Sequence, residues 1–345
     1  MTRTDIRFAL PSKGALQKDT VNFLESCGLH IHRPNQRQYV ARLSGVDNVT
    51  IIFQRPGDIV VGVRQGSLDF GITGYDILAE KAFGLIGSTV LLLHDALGYG
   101  PCTLNLAVPE ETAVYTMTDL ADWAKERSHS DYPLRVATKF PQLTNAFLQK
   151  HGVQPTRLID AEGTLEIAPA IGYADLIADL VSTGITLRDN HLRQVEGGEI
   201  LQSQACLIAN RHALKTRPDV LQVAHTLLEY IEAHLRASGS FLVTANMRGN
   251  SPQEIAQLMF EKGTIGGLQG PTISQVISPQ QLSNDSSWYA VNIVVRREKL
   301  VPAIAELRSI GGSGVIVAPC TYIFEEEPAR YRAMLAALED DKVKG

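Results

Sequence analysis

Short runs of β-branched and aromatic residues alternate with amphipathic stretches along the first two thirds of the chain, and a Gly or Pro stands at many of the junctions. Four times the order is strand, tight loop, helix. Ile6 to Leu10 predicts a strand, "PSKG" a loop, and Ala15 to Cys27 a helix closed by Gly28, the residue that adopts a left-handed terminal conformation at least cost. "RPGDIVVGVRQG" predicts a helix with Pro56 at its first position and Gly66 at its far end. A strand over Leu68 to Ile72, a loop "TGYD" and another helix follow. Leu134 to Thr138 reads as a third strand, with Pro141 opening a helix that runs to Gly152. Ala174 to Val181 reads as the fourth, entering the small-residue loop of "DLIADLVSTGITL" and then a helical pattern, "TLRDNHL". Strands alternating with helices predict parallel α/β sheets, with ligands at the carboxyl ends of the strands.

After Asn210 the texture changes. An amphipathic helix over His225 to Arg236 is followed by Ser238 and Gly239, where a boundary is placed. Beyond it the pattern reads strand (Phe241 to Thr244), helix, strand, strand (Trp288 to Val295), helix (Leu300 to Ile310) and strand (Val315 to Ala318), then a charged helix from Pro328. Ser251-Pro252-Gln253-Glu254 is a capping box. βαββαβ is the ferredoxin-like pattern.

Length and charge narrow the picture. At 345 residues the chain exceeds a single core and predicts two or three domains. A net charge of −5 gives no global attraction to nucleic acid or anionic lipid, so phosphate binding must come from local geometry. Cys27, Cys102, Cys206 and Cys320 are far apart with no CxxC pair, which points to a reducing compartment, the cytoplasm. No apolar stretch approaches the roughly 18 residues of a membrane span, and the start of the chain has no signal-like core. His30 and His32 read as a solvated pair rather than metal ligands.

Candidate chemistry concentrates in the loops. A turn leaving a parallel strand and entering a helix presents unpaired N–H groups at the positive end of a helix dipole, where a phosphate binds. In the fourth unit Gly184 lets the backbone approach, and Ser182, Thr183 and Thr186 add hydroxyl donors. The same composition serves plain capping, so the loop alone leaves both readings open. Asp175 and Asp179 tip the balance, because carboxylates on a core strand are costly unless they bind something, and both lie on one face whether the segment is strand or helix. Ribose hydroxyls or a ligand-bridged Mg²⁺ are their natural partners. Lys13 in "LPSKG", Arg55 and Asp58 in "RPGDI", and Asp69, Thr73 and Gly74 in "DFGITGYD" line comparable loops in a first lobe; Lys139 in "ATKFP" offers positive charge from a second.

Taken together, "ALPSKG", "RPGDIVVGVRQGSLDFGITGYDIL", "RVATKFPQLT" and "EGTLEIAPAIGYADLIADLVSTGITL" resemble ATP phosphoribosyltransferase, in order and over nearly the whole chain. "GGLQGPTISQV" and "IGGSGVIVAPCTYIF" resemble the C-terminal domain of its long form. The resemblance implies two α/β lobes of periplasmic-binding-protein type around a cleft, residues 1–104 with 196–238 and residues 105–195, plus a ferredoxin-like regulatory domain over 239–345. It implies transfer of phosphoribosyl from phosphoribosyl pyrophosphate to N1 of the adenine of ATP, Mg²⁺ bridged by substrate phosphates, feedback inhibition by histidine, and a homo-oligomer, dimer and hexamer. On it, phosphoribosyl pyrophosphate is held by Glu166, Asp175, Asp179 and the loop Ser182, Thr183, Gly184, Ile185, Thr186 and Leu187. ATP is held by Lys13, Gly14, Arg55, Asp58, Thr73 and Gly74, with Lys13, Arg55 and Asp179 catalytic. Histidine falls to "GLQGPTIS", at Gly267, Gly270 and Thr272. The chain departs from the family's KGRL at Ala15, from its DIP at Val60, and at Asn145, where a basic residue is common. A non-catalytic two-lobed binding protein and a phosphoribosyltransferase acting on another base are the rival readings.

Overall fold

Strand β1 (Ile6–Pro11) is the pivot of the first lobe in the computed structural model, which describes residues 4–35, 37–128, 133–161, 163–268, 270–277 and 287–340. Phe8, Ala9 and Leu10 are all fully buried, as in a strand covered on both faces. It leads to α1 (Gly14–Ser26), the small strands β2 (Ile31–His32) and β3 (Val40–Leu43), and β4 (Val49–Gln54). Next come α2 (Pro56–Gln65), β5 (Phe70–Gly74), α3 (Tyr75–Lys81) and β6 (Val90–His94). The chain then crosses to a second sheet: β7 (Cys102–Pro109), α4 (Met117–Ser128), β8 (Leu134–Thr138), α5 (Pro141–Lys150), β9 (Thr156–Asp160), a 3-10 turn at Leu165–Ile167, β10 (Leu176–Val181), α6 (Ile185–Asp189) and β11 (Leu192–Ser203). It returns through β12 (Ala205–Asn210), α7 (Arg211–Thr216) and α8 (Pro218–Ala237). The first sheet runs β2-β3-β4-β1-β5-β12-β6 and the second β11-β7-β10-β8-β9.

Register decides where the loops meet. β1 is parallel to β4 and β5, with Pro11 opposite Gln54, so the loops after all three strands leave the same edge. β12 begins opposite Gly74, at that same edge. In the second sheet β10 is parallel to β8, while the start of β7 pairs with the end of β10 at Thr103 and Val181. Ser203, at the end of β11, pairs with Cys102. Both crossings between lobes therefore join the carboxyl ends of their parallel strands, and the cleft lies there.

The chain divides into two compact units, one holding the residues up to Glu229 and again from Glu327, the other Tyr230–Glu326. The second contains β13 (Ser240–Gly249), α9 (Pro252–Phe260), β14 (Thr272–Val276), β15 (Ser287–Arg296), α10 (Arg297–Ser309) and β16 (Ser313–Pro319), in the order β14-β15-β13-β16. This is the ferredoxin-like arrangement. Val243, Ala245, Met247, Val291 and Ile293 face a core closed by Ile255, Met259, Ala303 and Leu307. At the capping box, Ser251 Oγ accepts from Glu254 N at 3.2 Å and Glu254 Oε2 accepts from Asn250 N at 2.8 Å.

Several expectations shift. β5 starts at Phe70 rather than Leu68, because Leu68 N is spent on Gly62 O and Asp69 N on Arg7 O. "TGYD" is therefore no loop: Thr73 and Gly74 end the strand and Tyr75 begins α3. α6 is a single turn, ended by His191 at φ 54°, which swings the chain into β11. The whole of β11 lies in the second sheet, so the return crossing falls at Gln204 instead of near residue 196. The last helix, α11 (Ala329–Glu339), joins the first unit and not the ferredoxin-like one. Arg330 pairs with Asp95 at 2.6 Å, and Arg211 Nη2 donates to Ala337 O at 2.7 Å, which fixes it there.

Candidate active site

Between β10 and α6 the chain turns through Ser182, Thr183 and Gly184. Gly184 caps α6 at φ 71°, with no side chain hydrogen-bonding the cap. A concavity of about 270 Å³ opens at this turn, lined by Glu166 and Asp179 on one side and Ser182, Thr183, Gly184 and Thr186 on the other. Leu187 also borders it, but its side chain is buried in the core of the lobe, which leaves only its main chain for binding. Ile185 is half-exposed.

Asp179 sits in this wall with Oδ1 accepting from Leu180 N at 2.8 Å. Burial pushes its carboxyl above the usual value and the negative charge of Glu166 adds to the push; the Leu180 amide and the cation of Lys139 oppose it. Lys139 reaches this point because Thr138, just before it on β8, pairs with Ala178 on β10. An acid pair beside a cation and backbone amides offers acceptors for hydroxyls and donors for an anion in one place.

Asp175 is elsewhere. It precedes β10, at the end of the strand remote from the turn, and its N–H bonds to Arg135 O. Its Oδ2 accepts from Arg135 N at 2.8 Å and Arg135 Nε at 3.2 Å, and Oδ1 from Arg135 Nη2 at 3.0 Å; Arg127 lies 3.5 Å away. Burial works against ionisation, yet these bonds and charges hold the carboxyl below the usual range. Asp175 therefore pairs with Arg135 and does not line the concavity at the turn. Asp69 is likewise structural, accepting from Arg7 N at 2.8 Å and paired with Arg217 at 3.2 Å.

In the first lobe, Lys13, the N-cap residue of α1, Arg55, the N-cap of α2, and Asp58 are exposed near one edge of the sheet, with Gly14 at φ 75° beside Lys13. Thr73 is different: it is fully buried, and its hydroxyl donates to Pro56 O at 3.4 Å. Gly74 is buried, and a Cβ there would run into the Asp76 carboxylate, so its contribution is room. Lys13 also lines a groove of about 780 Å³ with Lys18, Arg33, Arg37, Tyr39 and Phe53, where the Arg33 guanidinium lies 4.0 Å from the Phe53 ring centre.

The interlobe cavity, about 590 Å³, brings in residues not assigned to binding from sequence: Tyr75, Asp95, Cys102, Ser203 and Gln204, with Val181 and Ser182 shared with the smaller concavity. Beneath it Asp76 is 5% exposed, accepts from Ser203 Oγ at 2.6 Å, and is pushed above its usual value by burial. Only an acid at the mouth of "TGYD" signalled it. Among the described residues no group of three or more His, Cys, Asp or Glu side chains is placed to hold a metal. Among the described residues no helix is long and apolar enough to cross a membrane.

In the ferredoxin-like unit a pocket of about 560 Å³ is bordered by Gly270 and Thr272, with Arg236, Asn292, Arg296 and Glu325. Gly267, at φ 70°, shapes the loop beside it without lining it, and Gln269 of "GLQGPTIS" lies outside the described residues.

Residues 55–233 match the family model of ATP phosphoribosyltransferase, and residues 237–322 that of the HisG C-terminal domain. The chain is 42% identical over 342 residues to the chloroplastic ATP phosphoribosyltransferase 1 of Arabidopsis thaliana, covering 97% of this chain and 82% of that protein. It is 33% identical over 314 residues to the ATP phosphoribosyltransferase of Methanothermobacter thermautotrophicus, covering 91% and 97%. Among solved structures, a chain of the ATP phosphoribosyl transferase (HisG:HisZ) complex from Thermotoga maritima superposes with a TM-score of 0.50 at 26% identity, covering 66% of this chain and 98% of that one.

Proposed function

This chain belongs to the ATP phosphoribosyltransferase family, and from that premise we propose how its own residues divide the work. The protein is an enzyme that transfers phosphoribosyl from phosphoribosyl pyrophosphate to N1 of the adenine of ATP and releases pyrophosphate, opening histidine biosynthesis. A carrier without catalysis is not favoured by these relatives.

The turn Ser182 to Thr186 takes the 5-phosphate on its amides and hydroxyls, and Asp179 with Glu166 faces the ribose. The observation that carries this is the turn's pocket, flanked by both acids and sharing Val181 and Ser182 with the lining of the interlobe cavity. Charge-assisted bonds of roughly 1.5–3 kcal/mol each make such a turn a sufficient handle. ATP then lies across the cavity against the first lobe. Lys13 and Arg55 meet the leaving pyrophosphate and the polyphosphate, and Lys18, Arg33 and Arg37 in the adjoining groove supply the cations that Ala15 lacks. Asp58 and Gly14 border this wall, and Gly74 leaves it clear.

A Mg²⁺ carried in on the substrate phosphates would find the carboxylates of Asp179 and Glu166 lining the same concavity, and would supply charge neutralisation for the departing pyrophosphate. The protein's part is alignment, worth roughly 7–11 kcal/mol of a barrier, while the acids stabilise positive charge developing on the ribose ring. The ring nitrogen of adenine is already nucleophilic, so no side chain is assigned as a general base. Protein mixed with Mg²⁺, phosphoribosyl pyrophosphate and ATP releases pyrophosphate and forms N1-phosphoribosyl-ATP. Product formed with another base but none with ATP would overturn the assignment.

For regulation, free histidine occupies the pocket at Gly270 and Thr272, its carboxylate toward Arg296 and its ammonium toward Glu325. Arg296→Ala raises the histidine concentration for half-inhibition about tenfold or more in a steady-state assay. Light scattering is expected to show dimers and hexamers. The four free cysteines accord with a reducing compartment, here the cytoplasm.

A further inference from the structure

Helix α3 carries two buried acids on one face, Asp76 and Glu80, four residues apart; Asp76 is 5% and Glu80 6% exposed. Both belong to the first lobe and both are satisfied by the second. Asp76 accepts from Ser203 Oγ at 2.6 Å and its own N–H donates back to Ser203 Oγ at 2.9 Å, on β11. Glu80 crosses to the start of α5, where Oε1 accepts from Gln142 N at 2.9 Å and Oε2 from Leu143 N at 3.0 Å. A loop leaving β8 for α5 has the geometry that elsewhere in this fold offers amides to phosphate, and here those amides are taken by a carboxylate of the protein. A buried acid survives only where its partners are well placed, and losing the contact would leave a carboxylate and helix-end amides to be hydrated.

We propose that Glu80 is a positioning residue for phosphoribosyl transfer, an interlobe clasp that holds the lobe bearing the phosphoribosyl turn at the working angle to the lobe bearing Lys13 and Arg55. Lys139 and Phe140 link α5 directly to β8, the neighbour of β10, so the amides that Glu80 grips are rigidly tied to the wall containing Asp179. The inference rests on the reaction being carried out at this cleft.

A clasp of this kind sets the fraction of molecules already in the competent arrangement, and apparent affinity falls in proportion to that fraction. Glu80→Gln keeps the shape and one acceptor but turns the other contact into donor against donor. Glu80→Asp keeps the charge and shortens the reach by one methylene. Both variants are expected to raise KM for ATP and for phosphoribosyl pyrophosphate together, about tenfold, with kcat within twofold, and to enlarge the radius of gyration in small-angle scattering until both substrates are added. Loss of kcat at unchanged KM, or wild-type KM and scattering in both, would overturn the clasp. In the wild-type chain, hydrogen exchange at the amides of Gln142 and Leu143 is expected to be slow and to slow further with phosphoribosyl pyrophosphate; rapid exchange overturns the proposal without any variant. If the wild-type protein forms no phosphoribosyl-ATP, the catalytic reading fails, while exchange and scattering still judge the clasp.

Discussion

Asp175 and Asp179 lie in one segment, "ADLIADLV", and burial acts on both, yet their carboxyls are pushed in opposite directions. Burial raises Asp175 but the bonds and charges of Arg135 and Arg127 bring it below the usual value, whereas Asp179 is raised by burial and by Glu166. Sequence favours Asp179 only as the acid nearer the loop; what separates the two physically is an arginine forty positions before Asp175 that only the fold brings alongside. Asp175→Asn should therefore cost stability, about 1–2 kcal/mol for lost charge-assisted bonds to a half-exposed partner, and leave KM for phosphoribosyl pyrophosphate near wild type. Because the folded carboxyl titrates below its unfolded value, that stabilisation is present above about pH 4 and disappears as pH falls through the depressed value, so wild-type and variant melting temperatures should converge in acid. Asp179→Asn should do the reverse: near-native melting, with KM for phosphoribosyl pyrophosphate raised tenfold or more. Since the Asp179 carboxyl is pushed up, wild-type kcat/KM should decline on acidification above the usual carboxylate range, and the variant should lack that limb.

At the level of elements, the strand-turn-helix units and the βαββαβ order were legible because their signals are local: Pro56 and Pro141 at helix starts, Gly28 and Gly66 at helix ends, alternation along β13 and β15. Element ends were legible only where such a residue stood. β5 slid by two residues because of bonds from Leu68 and Asp69 to distant carbonyls, and α6 stopped after one turn because His191 turns the chain. The small-residue turn at Ser182 to Gly184 was visible in the sequence as a turn, whereas the contacts of Asp76, Ser203 and Glu80 were not, since they form only between lobes. Gly184 tests the turn. The nearest atoms to a Cβ there are 3.8 Å away, so space is not limiting, but at φ 71° a β-branched residue is strained and re-aims the amides. Gly184→Val should weaken phosphoribosyl pyrophosphate at least tenfold in calorimetry while ATP changes less than threefold; equal losses in a folded variant would refute the assignment.

On the scale of the whole chain, α11 closes a circuit. The polypeptide leaves the catalytic unit at Glu229, passes through the ferredoxin-like unit and re-enters at Glu327. Its buried Met334 and Leu338, with the Arg211 bonds to its terminal carbonyls, make this helix part of the catalytic unit's own packing. Truncation after Glu326 should cost about 3–6 kcal/mol from the two buried side chains alone, read as a lower midpoint in urea unfolding. A tail that served regulation only would leave that midpoint where it was.

Val181 and Ser182 border both the phosphoribosyl concavity and the interlobe cavity. On the proposed assignment this dipeptide belongs to both the donor and the acceptor side of the site, so a donor seated on one side would shift the surface that the acceptor meets on the other. Initial-rate patterns should be sequential with the donor leading, and a dead-end donor analogue should sharpen rather than block the uptake of ATP.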